Sequence, residues 1–476
     1  MQPVSRRQFL HQALAAAGLA SAPLAAITAL AGCVEQGRPL QRVKGYGRLR
    51  PVPDQNSGLP LLLLPEGFRY TSFAWAGSVL DDGYSCPIRA DGMGVVAEQD
   101  GLVTLIRNHE LRGSSGALGD PANAYDNTGG GTVTLKFDTA TEQCVASHVS
   151  LNGTLNNCAG GVTPWGSWLS CEEAPYSPAN REAFGADSRM ALWQLGNAEK
   201  EHGWVFEVPA EGIAKAEPIT AMGQFYHEAV AFDPATGIAY MTEDRSPAAG
   251  FYRFIPEQPG NLRQGGRLQM LRLDGIPDMR LSIPLRTPFK VSWVDIDKPE
   301  QGHTPGSHNS GGVVSQGVTA GGTLFIALEG CAWYQGSIFF TSKLGGAEKA
   351  GQVFQYDLAT ETLWLIFESP AHRVLSGPDN INFSPRGNLV ICEDMVRAVG
   401  HSMRLVSLTK DGDYHFLAQI NPKISGQVNG YNLAGLLPIS EWAGVCFSAD
   451  GQWMFVNIFS PGISLAITGP WHPLLA

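Results

Sequence analysis

Pro164-Trp165-Gly166-Ser167-Trp168-Leu169-Ser170-Cys171-Glu172-Glu173 is a turn, a short apolar run and a pair of carboxylates, in that order. The same order recurs five times. Gln99-Asp100-Gly101 leads to Asn108-His109-Glu110, and Asp233-Pro234-Ala235-Thr236-Gly237 leads to Thr242-Glu243-Asp244. Ala320-Gly321-Gly322 leads to Leu328-Glu329-Gly330, Ser384-Pro385-Arg386-Gly387 to Cys392-Glu393-Asp394, and Ser448-Ala449-Asp450-Gly451 to Val456-Asn457. With Glu110, Glu173, Asp244, Glu329, Asp394 and Asn457 as markers, the steps run from 63 to 85 residues. Repeats of that size, with strands and no helical period, predict an all-β chain folded as a six-bladed β-propeller. The steps exceed the usual four-stranded blade, so loop insertions are expected, the largest around 259–310. Asp-x-x-Gly hairpins occur in any β protein, but six in order are not chance.

Successive blades present equivalent strands to a central channel. The acid-bearing ends would then converge: Glu110, Glu173, Glu243 or Asp244, Glu329, and Glu393 or Asp394. Carboxylates gathered without compensation repel and raise one another's pKa. Bound cations relieve that repulsion, so the repeat itself predicts a multi-metal centre. Just upstream, Asn157-Cys158-Ala159-Gly160-Gly161 adds a cysteine. Its thiolate suits iron, zinc or copper, whereas clustered carboxylates suit calcium, magnesium or ferric iron. A buried thiol or a disulfide partner is the alternative for Cys158. His227 and Glu228 precede an apolar run. The histidine reads as a hydrogen-bonded structural residue, while a carboxylate beside so apolar a strand needs a partner and reads as a ligand. Asp379, Asn380 and Glu441 offer oxygen ligands, although Asp-Asn also caps turns routinely.

Composition narrows the class. With 56 Gly, 31 Pro and 16% charged residues, the 476-residue chain favours turns over exposed helix. Its net charge is −11 with no basic stripe, which argues against nucleic acid as a partner. Ser5-Arg6-Arg7-Gln8-Phe9-Leu10 matches the twin-arginine export signature and is followed by an Ala/Leu-rich run broken by Pro23. Leu30-Ala31-Gly32-Cys33 has the form of a lipobox, with lipidation of Cys33 as its consequence and ordinary cleavage as the alternative. The expected organisation is a signal peptide at 1–32, a linker at 33–58 and the propeller at 59–476, in the periplasm or at the cell surface. The eight cysteines form no tight disulfide framework. His-Glu-x-x-His, the P-loop and Gly-x-Ser-x-Gly are missing, so ordinary zinc-hydrolase, P-loop and serine-hydrolase mechanisms lack their signatures.

Taken together, several motifs resemble the PhoX family of exported alkaline phosphatases. They are Pro65-Glu66-Gly67-Phe68, Asn108-His109-Glu110, Asn157-Cys158-Ala159-Gly160-Gly161, Cys171-Glu172-Glu173, His227-Glu228-Ala229, Leu328-Glu329-Gly330, Pro378-Asp379-Asn380, Cys392-Glu393-Asp394 and Thr468-Gly469-Pro470-Trp471. The resemblance runs from about residue 59 to the end, in the family's order, and is to its shorter branch. It implies a six-bladed propeller that hydrolyses phosphate monoesters, with a small phosphoester as substrate, using Fe³⁺ and Ca²⁺; a monomer is the separate expectation. Carried over by motif, Cys158 would ligate iron, Glu228 and Glu329 would ligate the iron–calcium cluster, and Glu173 would be a further ligand. Glu329 would lie at the reaction centre itself, and Glu110, Glu393 and Asp394 complete the expected ligand set.

Two departures stand against simple transfer. The family's phosphate-contacting arginine, two residues before that glutamate, is Ala327 here, and residues 145–154 are too few for the family's Asn-Arg-Arg segment. Losing one such charged contact costs on the order of 2–4 kcal/mol in the transition state, by analogy with an oxyanion donor. Arg107, Arg112 or Arg245 could replace it. The competing readings are a calcium-dependent lactonase and a non-catalytic metal-binding surface propeller.

Overall fold

The computed structural model describes residues 41–113, 116–180, 198–304, 309–394, 402–409 and 412–472. The twin-arginine segment, the apolar run and Cys33 lie outside the described residues. Strand follows strand along the chain, in a propeller-like all-β arrangement. Six hairpins build its centre, and their strands are numbered in chain order. They are β1 (Ala90–Gln99) and β2 (Leu102–His109), β3 (Asn157–Val162) and β4 (Ser167–Glu172), β5 (His227–Phe232) and β6 (Ala239–Glu243). The other three are β7 (Leu328–Tyr334) and β8 (Ser337–Ser342), β9 (Pro378–Phe383) and β10 (Leu389–Glu393), β11 (Trp442–Phe447) and β12 (Met454–Ile458).

Turn chemistry decides where two of these hairpins fold back. Asp100 and Gly101 join β1 to β2 with φ of 52° and 81°, and Gln335 and Gly336 join β7 to β8 with 47° and 81°. Both central residues are left-handed, as a two-residue type I′ turn requires.

Every hairpin repeats one irregularity. Ala90 faces His109 and Met93 faces Arg107, so β1 has one residue more than β2 between those pairs. The same bulge falls after Asn157, His227, Leu328, Pro378 and Ala443. A bulge bends the strand and re-aims its side chains. The odd-numbered strands pack side by side in a closed circle, from β1 through β3, β5, β7, β9 and β11 back to β1. Their approach leaves no room for a side chain at some junctions. A Cβ on Gly161 would lie 1.9 Å from the Val230 carbonyl oxygen, and one on Gly92 would lie 2.5 Å from the Ala159 Cα.

Outside this circle the sheets are unequal, so the expectation of six separate, equivalent blades is not met by the hydrogen bonding. β1 and β2 belong to a four-stranded sheet, β3 and β4 to one of three strands. The sheets that begin at β5 and β7 fuse into one of nine strands, because Phe289–Asp295 pairs with Gly266–Leu273 on one side and Thr362–Glu368 on the other. That bridging strand lies inside the insertion expected at 259–310. β11 and β12 are completed by Ile463–Thr468 and by Arg69–Phe73, so an early strand closes the last sheet.

Residues 41–58 correct the expectation of a linker. Arg50–Val52 pairs with Leu62–Leu64, which extends the sheet of β9 and β10 to six strands. Asp54 is buried and accepts from Ser57 N–H and Ser72 N–H. Buried apolar side chains fill the spaces between sheets. Trp442, fully buried, also donates its indole N–H to the Met403 carbonyl at 2.9 Å.

Candidate metal centre

The bulges bring two rings of side chains to one end of the circle. One residue past the last regular pair, the odd strands contribute Asp91, Cys158, Glu228, Glu329, Asp379 and Gly444. One residue past the matching partner, the even strands contribute Glu110, Glu173, Asp244, Lys343 and Asp394, whereas Ile458 at that register in the sixth hairpin pairs with Trp442 and packs in the core. Glu441, just before β11, joins them.

Strand alternation sends the preceding residues the other way. Glu172 accepts from Leu155 N–H at 2.8 Å, Gly203 N–H at 2.8 Å and the His202 ring at 2.7 Å. Glu243 accepts from Gly250 N–H and the Tyr252 hydroxyl, both at 2.8 Å. Glu393 accepts from the Arg404 guanidinium at 2.6 and 2.9 Å and from Ser376 N–H at 3.0 Å. Glu393 is therefore corrected as an expected ligand: it is the anion of a buried ion pair, one residue out of phase with Asp394.

The ring carboxylates have fewer donors, among them Asn156 Nδ2 at 3.3 Å from Glu173 and Asn380 Nδ2 at 2.8 Å from Asp379. Ligand atoms lie within 4.8 Å of one another in four overlapping groups: Cys158, Glu173 and Glu228; Asp91, Glu110 and Glu441; Glu228, Glu329 and Asp379; and Asp379, Asp394 and Glu441. Burial, and then repulsion among the carboxylates, pushes Asp91, Glu173, Glu228, Glu329 and Glu441 far above the ordinary carboxylate range. Asp379 rises to about 6 from the same two causes, eased by Lys343. Burial also holds the Cys158 thiol well up, with Glu228 and Glu173 adding to it, and its Sγ–H donates to the His227 carbonyl at 3.1 Å. Asp394 goes the other way: burial opposes ionisation, but the Lys343 ammonium beside it overrides that and holds it at about 2. Two like charges 4 Å apart repel by about 4 kcal/mol at an effective dielectric of 20. Lys343, with Arg89 and Arg112 near Glu110, leaves the nine ring carboxylates in excess, so the donor set fits bound cations: oxygens for hard ions, and one thiolate that suits a softer one such as iron.

The remaining expected residues fall as follows. Cys158, Glu173, Glu228, Glu329, Glu110 and Asp394 are brought together, with Asp379 and Glu441. His227 stays out, as its structural reading implies: it is buried, its Nε2 is 2.8 Å from the Gly223 carbonyl oxygen, and burial depresses it to about 3. Arg107 is corrected. Its guanidinium is fully buried between the first and last sheets, donating to the Ala74 carbonyl at 3.0 Å, Ser464 Oγ at 2.7 Å and Cys86 Sγ at 3.0 Å. Its position, two residues before the wrong-facing His109, aims it away from the rings. Arg245 reaches the rim, where it donates to the Ala248 carbonyl at 2.9 Å and Asn309 Oδ1 at 3.3 Å. Its own carbonyl accepts Ala327 N–H at 3.1 Å, so it borders the site of the missing arginine. Arg112 lies near Glu110 and Glu173.

Sequence reasoning missed Asp91 and Lys343. Asp91-Gly92 repeats the ligand-then-small pattern of Cys158-Ala159, Glu228-Ala229 and Glu329-Gly330, and that signal would have found it. Beyond the rings, small residues of the odd strands, among them Gly92, Gly94, Ala159, Gly161, Ala229 and Ala231, line a channel cavity of about 380 Å³.

A family model described as alkaline phosphatase PhoX matches residues 128–462. No curated protein matches the sequence. Among solved structures, a gluconolactonase from Xanthomonas campestris is similar at 12% identity, covering 92% of this chain and 99% of its own, with a TM-score of 0.39. A luciferin-regenerating enzyme is similar at 11% identity, covering 82% of this chain and 94% of its own, with a TM-score of 0.40. Likeness at this level says nothing of activity.

Proposed function

We propose, for a chain that belongs to the PhoX alkaline phosphatase family, that it hydrolyses phosphate monoesters at the double ring of ligands. The observation that carries this reading is the grouping of Cys158, Glu173 and Glu228, together with that of Asp91, Glu110 and Glu441, with ligand atoms within 4.8 Å in each group. In this reading the circle of odd strands is the core of a six-bladed propeller. Ca²⁺ ions are held by the carboxylates, and Fe³⁺ by Cys158 with Glu228. When bound, such cations polarise phosphoryl oxygens and provide the attacking oxygen at neutral pH.

The chain's own residues hold and orient. Burial keeps bulk water from Asp91, Cys158, Glu228 and Glu329, while Glu110, Glu173, Asp394 and Glu441 are half-buried, and the bulges fix their directions. Arg245, hydrogen-bonded to the backbone at Ala327, is the residue proposed to meet the phosphoryl group from the rim, with Arg112 on the side of Glu110. Arg107 has no part in this. Export by the twin-arginine route, a lipid anchor at Cys33 and a monomeric state complete the proposal.

The test is hydrolysis of p-nitrophenyl phosphate by protein loaded with calcium and iron. Turnover that chelation abolishes is the expected result. No turnover by protein shown to hold its metals would overturn the reading in favour of a non-catalytic propeller. Turnover of a lactone without phosphatase turnover would instead make it a lactonase.

A further inference from the structure

Lys343 sits where the repeat calls for an acid. Following β8, it holds the place that Glu110, Glu173, Asp244 and Asp394 hold after β2, β4, β6 and β10. Its backbone N–H donates to the Ala327 carbonyl at 2.8 Å, which fixes its Cα at the ring. From there Nζ lies 3.1 Å from Glu329 Oε1 and 3.4 Å from Asp379 Oδ2, and it touches Asp394 Oδ2 directly. These three carboxylates come from three different strands or strand ends, so an ammonium among them does what a bound cation would do.

We infer that Lys343 is a built-in counterion, its ammonium filling the cation place between Glu329, Asp379 and Asp394 so that no metal ion binds there. This rests on the reading of the rings as a metal centre and adds where metal is excluded. Two of the four ligand groups draw on carboxylates that Lys343 engages: Glu228, Glu329 and Asp379, and Asp379, Asp394 and Glu441. The other two, Cys158 with Glu173 and Glu228, and Asp91 with Glu110 and Glu441, feel its charge only at longer range and form no ion pair with it. A divalent ion placed among Glu329, Asp379 and Asp394 would meet a positive charge at ligand distance, and Coulomb repulsion at that range is strong in a buried site. Metal ligation is thereby confined to the side of the circle formed by β1, β3 and β5, while the side formed by β7 and β9 carries a cation that chelators cannot remove.

The test is the calcium and iron content per chain, by elemental analysis after loading and desalting, of the wild type and of Lys343→Met, Lys343→Glu and Lys343→Arg. The Met and Glu variants are expected to hold one calcium ion more than the wild type, and the Arg variant the same number. Equal content in all four, a gain in the Arg variant, or a loss in the Met variant would overturn the inference. A wild type that binds no metal overturns the metal-centre reading beneath it, an outcome distinct from equal, non-zero content. Should the Met and Glu variants not fold, a crystal structure of the calcium-loaded wild type decides. The ammonium between the three carboxylates supports the inference, and a metal ion in that place overturns it.

Discussion

Glu172 and Glu173 are neighbours with opposite surroundings. Glu172 is fully buried and saturated by backbone N–H groups and the His202 ring, whereas Glu173 faces Asp244, Glu110 and Glu329. Glu172→Gln breaks a buried ion pair and is expected to cost about 3–5 kcal/mol of stability, because His202, held between Glu172 and Asp126, loses one of its two anions. Glu173→Gln removes a repelling charge and is expected to lower metal content with little loss of stability. Thermal melts and metal analysis of both variants separate the two roles. A pH dependence follows from His202. Burial opposes its charge, but Glu172 and Asp126 raise it to about 9 from an ordinary 6.5. A raised imidazolium contributes stability that is full below about pH 6.5 and lost as pH rises through 9. The melting temperature should therefore fall across that window, and Glu172→Gln should flatten the fall. A wild-type melt unchanged between pH 6 and pH 10 would contradict the pairing. The sequence could not tell Glu243 from Asp244, or Glu393 from Asp394, because a strand's facing depends on a register that only the bulges set.

At the scale of elements, five of the six hairpins were legible because turn residues and apolar runs alternate, and Asp100-Gly101 is the plainest case. The bulges were not, since a residue added to one strand leaves no mark in composition. The fourth repeat was misplaced by its turn, since that hairpin folds back at Gln335-Gly336 and not at Ala320-Gly321-Gly322. Leu328-Glu329-Gly330 reads as a strand end, yet it opens β7, and the marker's true equivalent is Lys343. Arg107 failed for a related reason: an arginine near an expected anion site looks useful until strand alternation sends it into the sheet interface. The close circle of odd strands makes its own prediction. Gly161→Ala places a methyl group 1.9 Å from the Val230 carbonyl oxygen, so β3 and β5 must part. The expected cost is about 1–3 kcal/mol, read as a lower midpoint in thermal or denaturant unfolding. An unchanged midpoint would mean the two strands do not pack as described.

For the whole molecule, closure of the circle does what no single strand can. It places residues from 91 to 441 within one cluster of carboxylates whose mutual repulsion bound cations would relieve. The repeat made that convergence foreseeable, and the family match accords with it. The unequal sheets, the bridging strand Phe289–Asp295 and the pairing of residues 50–52 with the fifth repeat depend on contacts between distant segments, which no local pattern announces. The central claim is that the two rings hold metal. Elemental analysis of the purified, desalted wild-type protein tests it most directly: the account predicts iron and calcium bound in whole-number ratios to the chain. A folded protein carrying neither, after exposure to both, would contradict it.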